Sequence, residues 1–134
     1  MPNSHAEVYL HYVWSTYNRL PYITASIRTE LYKCLAQRCI DIQTHLLAVG
    51  GVEDHVHILV RMPSTITIAE VAQNLKGVSS YFIANVLEVS DFRWQKAYGV
   101  FSVSPENLDT IINYIKNQET HHSAKTAKPY WEPE

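Results

Sequence analysis

The stretch HLLAVGGVEDHVHILVRM, residues 45–62, decides how the chain is read. Two short apolar runs, 45–52 and 55–62, are separated by Glu53 and Asp54, which predicts an antiparallel hairpin. Gly50 and Gly51 near the end of the first run predict a bulge or a close backbone approach. In a strand, alternate side chains share a face. His55, His57, Leu59 and Arg61 therefore point one way, and Val56, Ile58 and Val60 point the other. The second set is purely aliphatic and belongs under helices. The first set puts two imidazoles on the opposite face.

Outward from the hairpin, the order of elements emerges. Upstream, EVYLHYVW (7–14) is rich in aromatic and β-branched residues and reads as a strand, ended by NRLPYIT. In SIRTELYKCLAQRCI (26–40), Ile27, Leu31, Cys34 and Leu35 keep helical spacing, with Ser26 as the expected N-cap. Downstream, Ile68, Val71, Ala72 and Leu75 mark a second helix, and Thr67 with Glu70 fits a capping box. WQKAYGVFSV (94–103) reads as a further strand. SPENLDTIINYIKNQETHH (104–122) reads as a last helix, with Ser104 as N-cap and Pro105 at its first position. The tail from 123 to 134 is expected to be irregular. The resulting β-α-β-β-α-β-α order is an α+β class. Its first six elements form a ferredoxin-like β-α-β-β-α-β antiparallel sheet with two helices on one face, followed by an added C-terminal helix.

The whole chain sets bounds on this reading. Its 134 residues suit a single domain spanning 1–134, and 46% hydrophobic against 18% charged residues is a globular composition. No apolar stretch approaches the roughly 18 residues of a membrane span, and the N-terminus has no secretory pattern. A cytoplasmic protein with no membrane partner is expected. Cys34 and Cys39 are offset to different helix faces and resemble neither a metal knuckle nor a redox pair. A net charge of −2 argues against unselective duplex binding, while leaving room for a localised cationic groove.

The chemistry-bearing residues fall in two places. Two imidazoles two apart on a strand can share one divalent ion, although a His-x-His pair alone is more often structural. On the last helix, Leu108, Ile111, Ile112 and Ile115 form an apolar stripe, with Tyr114 and Gln118 about 100° around from it. Judged alone, these two are a half-exposed Tyr and Gln. Packed by its isoleucines, however, the helix would set Tyr114, a possible nucleophile, beside Gln118, an oxygen donor. A phenol is a poor acid or base near neutrality, but as a nucleophile it suits phosphoryl transfer beside a metal ion.

DHVHILV, YGVFSVS and YIKNQETHH, in this order, together with HYVWSTYNRLPYIT near the start, resemble the single-tyrosine HUH transposases of bacterial insertion sequences. The likeness covers about residues 7–123. It implies metal-dependent cleavage and rejoining of single-stranded DNA through a 5′-phosphotyrosine intermediate. The implied nucleophile is Tyr114, and the implied holders of Mg²⁺ or Mn²⁺ are His55, His57 and Gln118. It also implies recognition of DNA hairpins at element ends and a homodimer in which the tyrosine helix of one subunit can serve the imidazoles of the other.

Arg61, Lys76, Arg93, Lys96 and Lys116 are the candidate DNA-binding residues, since phosphate contacts dominate affinity. Trp14, Tyr17, Tyr81, Phe82 and Trp94 could stack on unpaired bases, but such aromatics are more often core. Asp54 could orient an imidazole, with a plain turn residue as the simpler reading. Two other functions stay open: a hairpin-binding module of the same fold without cleavage, and a zinc enzyme using His121 or His122 with the pair.

Overall fold

The computed structural model describes residues 5–118 and residue 132. The expected irregular tail, apart from residue 132, and the histidines at 121 and 122 lie outside the described residues. Seven main elements follow one another. They are β1 (Val8–Ser15), α1 (Ala25–Asp41), β2 (His45–Val52), β3 (His55–Met62), α2 (Ile68–Tyr81), β4 (Gly99–Val103) and α3 (Leu108–Lys116). The strands form one antiparallel sheet in the order β2-β3-β1-β4. This is the ferredoxin-like arrangement expected from the order of elements.

Alternation along the central strands sorts the side chains into two cores. Leu10, Tyr12 and Trp14 of β1 and Val56, Ile58 and Val60 of β3 face α1 and α2, meeting Leu31, Leu35, Val71 and Leu75. Each fully buried leucine there stabilises the fold by about 1.5–3 kcal/mol. On the other face, Tyr9, Ala48 and Leu59 meet Ile111 and Ile115 of α3. The face that α1 and α2 leave open is thus covered by the third helix of the same chain.

Local chemistry explains several boundaries. The Thr67 hydroxyl accepts from the Glu70 N–H at 3.1 Å, and the Glu70 carboxylate accepts from the Thr67 N–H at 3.0 Å, completing the predicted capping box. α1 starts earlier than expected, with Thr24 rather than Ser26 as its N-cap. α2 runs on into a π-helical turn, Phe82–Val86. The last helix is not continuous from Ser104: a 3-10 turn, Pro105–Asn107, precedes α3.

The expected strand 94–103 is shorter, beginning at Gly99. Only an isolated Thr16–Trp94 bridge remains upstream of it. The cause is Lys76, whose ammonium donates to the carbonyls of Gln95, Lys96 and Ala97 at 2.6, 2.9 and 3.3 Å. Those carbonyls serve α2 instead of a sheet ladder. Of the aromatics considered for base stacking, Trp14 and Trp94 are buried and Phe82 packs against the core. Tyr81 and Tyr17 are exposed, with the Arg93 guanidinium 3.8 Å from the Tyr17 ring centroid. No helix among the described residues is long and apolar enough to cross a membrane, and both cysteines are free thiols.

Candidate active site

The imidazoles of His55 and His57 sit on the α3 side of β3 with ring centroids 5.2 Å apart, and both are fully buried. Their neighbours are set by register: Ser15 and Val13 lie opposite them on β1, and Val52 and Gly50 on β2. The missing side chain at Gly50 is what admits the helix. A Cβ there would meet the Ile115 carbonyl oxygen at 2.0 Å. The expected close backbone approach is therefore present at the glycines, while the irregularity in the strand pairing falls earlier, between Leu46 and Ala48.

With α3 seated in this way, Tyr114 and Gln118 point into the same pocket. Neither is half-exposed: Tyr114 is 4% and Gln118 1% accessible. The Tyr114 ring stands edge-on to His57 at 5.9 Å between centroids. Gln118 donates its amide N–H to the Tyr114 carbonyl at 3.2 Å, which turns its oxygen toward His55 Nε2 at 3.3 Å.

A residue that sequence reasoning missed completes the group. The Glu132 carboxylate lies 2.8 Å from His55 Nε2 and 3.2 Å from His57 Nε2, and it accepts a hydrogen bond from the Tyr114 hydroxyl. Ligand atoms of His55, His57 and Glu132 all lie within 4.8 Å of one another, so these three residues form a group able to hold a metal ion. The chemistry of the donors fits: two imidazole nitrogens whose other nitrogens are engaged, a carboxylate and the nearby Gln118 amide oxygen.

Each imidazole is held from behind by a different group. His55 Nδ1 is 2.8 Å from Asp54 Oδ1, and Asp54 Oδ2 accepts from Arg19 Nε at 3.1 Å. Asp54 is a turn residue and an orienting one at once. Its turn is pinned by Thr16 N–H donating to the Asp54 carbonyl and Ile23 N–H donating to that of Glu53, both at 2.9 Å. Arg19 reaches it from a left-handed backbone (φ 56°), a conformation that costs a non-glycine residue about 1 kcal/mol or more. His57 Nδ1 instead lies 2.8 Å from Nε2 of His11, a fully buried residue of β1.

The charges follow from these contacts. Burial works against an ionised Asp54, but hydrogen bonds from His55 and Arg19 overcome it and bring its pKa down to about 2. Burial likewise works against a charged His55, yet Asp54 and Glu132 raise its pKa above the ordinary value. Glu132 is held well below the carboxylate range by His55 and His57, despite its burial. For His11, burial and the neighbouring His57 outweigh the pull of Glu132 and push the pKa down to about 3.

The candidate DNA-binding residues do not form one patch. Lys76, Arg93 and Lys96 line a groove of 540 Å³ between α2 and residues 93–98, with Tyr98 and Trp94. All three N–H groups of Lys76 already meet carbonyls there. Lys116 and Arg28 line a separate cleft beside Gly50 and Gln118. Arg61 stands at the far end of β3, about 20 Å from His55 at strand rise, and donates to the Ala6 carbonyl at 3.1 Å.

Similar proteins put this geometry in context. A solved structure of a Deinococcus radiodurans R1 protein assigned as a transposase shares the fold with a TM-score of 0.69 at 23% identity, covering 88% of this chain and 95% of that one. A REP-associated tyrosine transposase, solved bound to a REP hairpin, matches with a TM-score of 0.66 at 11% identity, over 95% of this chain and 73% of that one. No curated protein sequence matches. The family model described as "Transposase IS200 like" matches residues 4–118, most of the chain. With the order of its strands, its added helix and that match in agreement, the chain belongs to the IS200-like transposase family.

Proposed function

We propose that this protein cleaves and rejoins single-stranded DNA, with Tyr114 as the nucleophile. One observation carries the reading. A single carboxylate, that of Glu132, touches Nε2 of both imidazoles and the Tyr114 hydroxyl together. The phenol and the imidazole pair are therefore close enough for one phosphate, met by a cation on the imidazoles, to meet the phenol as well.

In the proposed step the Tyr114 oxygen attacks phosphorus and the P–O3′ bond breaks. The 5′ phosphate stays on the tyrosine, the 3′ oxygen leaves as an alkoxide and takes up one proton to become a hydroxyl, and the phenol proton is lost to a base or solvent. Attack of a 3′-OH on the phosphotyrosine reverses the step and rejoins the strand. Mg²⁺ or Mn²⁺ on His55, His57, Gln118 and Glu132 would polarise the phosphate and stabilise its developing charge. The protein's own part is orientation and water exclusion. Gln118 is locked by the Tyr114 carbonyl, and α3 closes the site against the sheet.

The DNA partner is proposed to be a hairpin-bearing single strand, in line with the hairpin bound to the REP-associated relative. Arg93, Lys96 and Lys116 supply phosphate contacts, Lys76 organises the groove, and Arg61 serves a more distant part of the DNA. The proposed assembly is a cytoplasmic homodimer. In the proposed dimer each Tyr114 serves the imidazoles of its own chain, a reading supported by the packing of α3 against the same chain's sheet.

The test is incubation with labelled oligonucleotides copied from the DNA flanking the gene, with Mn²⁺, scored for protein-linked DNA on a denaturing gel. An adduct with the unaltered protein, and none with Tyr114→Phe, is expected. An undiminished adduct with Tyr114→Phe would remove the assignment. Hairpin binding with no adduct under any condition would leave a binding module of the same fold.

A further inference from the structure

We infer that His11 is the positioning residue for His57: it accepts the His57 Nδ1 proton and thereby fixes the tautomer that leaves Nε2 free for a cation. The inference rests on the metal reading above.

The geometry leaves few options. His11 Nε2 and His57 Nδ1 are 2.8 Å apart, both rings are fully buried, and their planes differ by 34° with centroids at 5.1 Å. Two ring nitrogens this close share one proton. If His11 donates it, neutral His57 must carry its own proton on Nε2, the atom that faces Glu132 at 3.2 Å, and no lone pair remains there for a cation. If His57 donates it, Nε2 presents its lone pair and His11 carries its proton on Nδ1. Only the second arrangement makes His57 a ligand.

His11 is also fixed in place. It lies in the middle of β1, paired with Leu59 on one side and Phe101 on the other, and the Phe101 ring is 5.9 Å from its own. Metal-bound imidazoles are commonly held through their second nitrogen by a carboxylate, a carbonyl or water. Here a carboxylate does this for His55 and a neutral imidazole does it for His57. The second choice holds the ring without placing another negative charge behind the site.

The test uses the full chain, metal-free, and two substitutions. His11→Phe keeps a ring of similar size and removes the acceptor. His11→Gln places an amide oxygen at about the reach of Nε2. Mn²⁺ titration is expected to show about 10–100-fold weaker binding for His11→Phe, with His11→Gln restoring most of it. Long-range ¹H–¹⁵N spectra of the unaltered protein loaded with Mg²⁺ provide a reading that needs no variant. They should show His57 protonated at Nδ1 and His11 in the complementary form. Equal Mn²⁺ affinity in the unaltered protein and a folded His11→Phe variant would overturn the inference and leave the metal reading standing, and a His57 Nδ1 without a proton in the Mg²⁺-loaded protein would overturn the inference as well. An unaltered protein that takes up no Mn²⁺ overturns both.

Discussion

Gly50 lies directly beneath Ile115, so closely that a methyl group on it would sit 2.0 Å from the Ile115 carbonyl oxygen. The clash is with backbone and cannot be relieved by a rotamer. Gly50 does not have a positive φ, so alanine there meets a space problem and not a conformational one. Gly50→Ala is therefore expected to lift α3, at a cost of about 1–3 kcal/mol. DNA adduct formation should fall with it, because Tyr114 and Gln118 ride on that helix. Thermal melting and the adduct assay check this together. A variant that melts like the parent and forms adduct normally would show that α3 is not held by this contact.

Asp54→Asn tests the carboxylate behind His55. The amide can turn its N–H toward Nδ1, which would favour the wrong tautomer at Nε2. Mn²⁺ affinity should fall about 10–100-fold, with little change in melting. Arg19→Ala should do much less, since an ion pair with side chains 37% and 27% exposed contributes only about 0–1 kcal/mol. Equal losses in the two variants would mean that the pair works as a unit.

Much of this arrangement could be read from residue order, and the exceptions have physical causes. Period-two alternation in 45–62 and helical spacing in 68–75 reflect local burial, so the hairpin and α2 appeared where expected. The same logic put His55 and His57 on one face and Tyr114 beside Gln118. It misjudged the exposure of those two because helix periodicity does not reveal what the helix docks against. Residues 94–98 have strand composition, but a lysine from α2 claims their carbonyls. His11 looks like any strand residue until β3 is laid beside it. Glu132 reaches His57 across 75 residues from a tail without periodic pattern, so nothing in its neighbourhood marks it.

Stability of the metal-free protein should peak near pH 6.5, the ordinary histidine value, because two buried imidazoles pull in opposite directions. His11 is lowered from 6.5 to about 3. Between those values the unfolded chain binds its proton and the folded chain does not, so stability falls as the pH drops, by up to about 1.4 kcal/mol per unit. His55 is raised above 6.5. Its contribution is complete below 6.5 and is lost as the pH rises through its folded value. Urea denaturation across pH would trace both limbs, and His11→Phe should flatten the acid one. An acid limb unchanged by that substitution would assign the loss to other groups, Asp54 among them as the pH falls from 3.8 toward 2.

Glu132 carries the last prediction. Its side chain is 11% exposed and bridges both imidazoles and the phenol, a position suited to an oxygen ligand completing a two-imidazole, one-carboxylate set with open positions left for a phosphate. With no cation bound, Glu132 and Asp54 together favour a protonated His55, so metal uptake must release that proton. Glu132→Gln removes the charge and keeps the shape. Mn²⁺ affinity should fall by at least about tenfold. The His55 pKa should also drop, since one of the two groups raising it is gone, and binding should depend less steeply on pH near neutrality. Glu132→Gln that binds Mn²⁺ as tightly as the parent, or more tightly, would reverse the role: the carboxylate would then be an occupant of the cation's place, one that metal and phosphate must displace before Tyr114 can act.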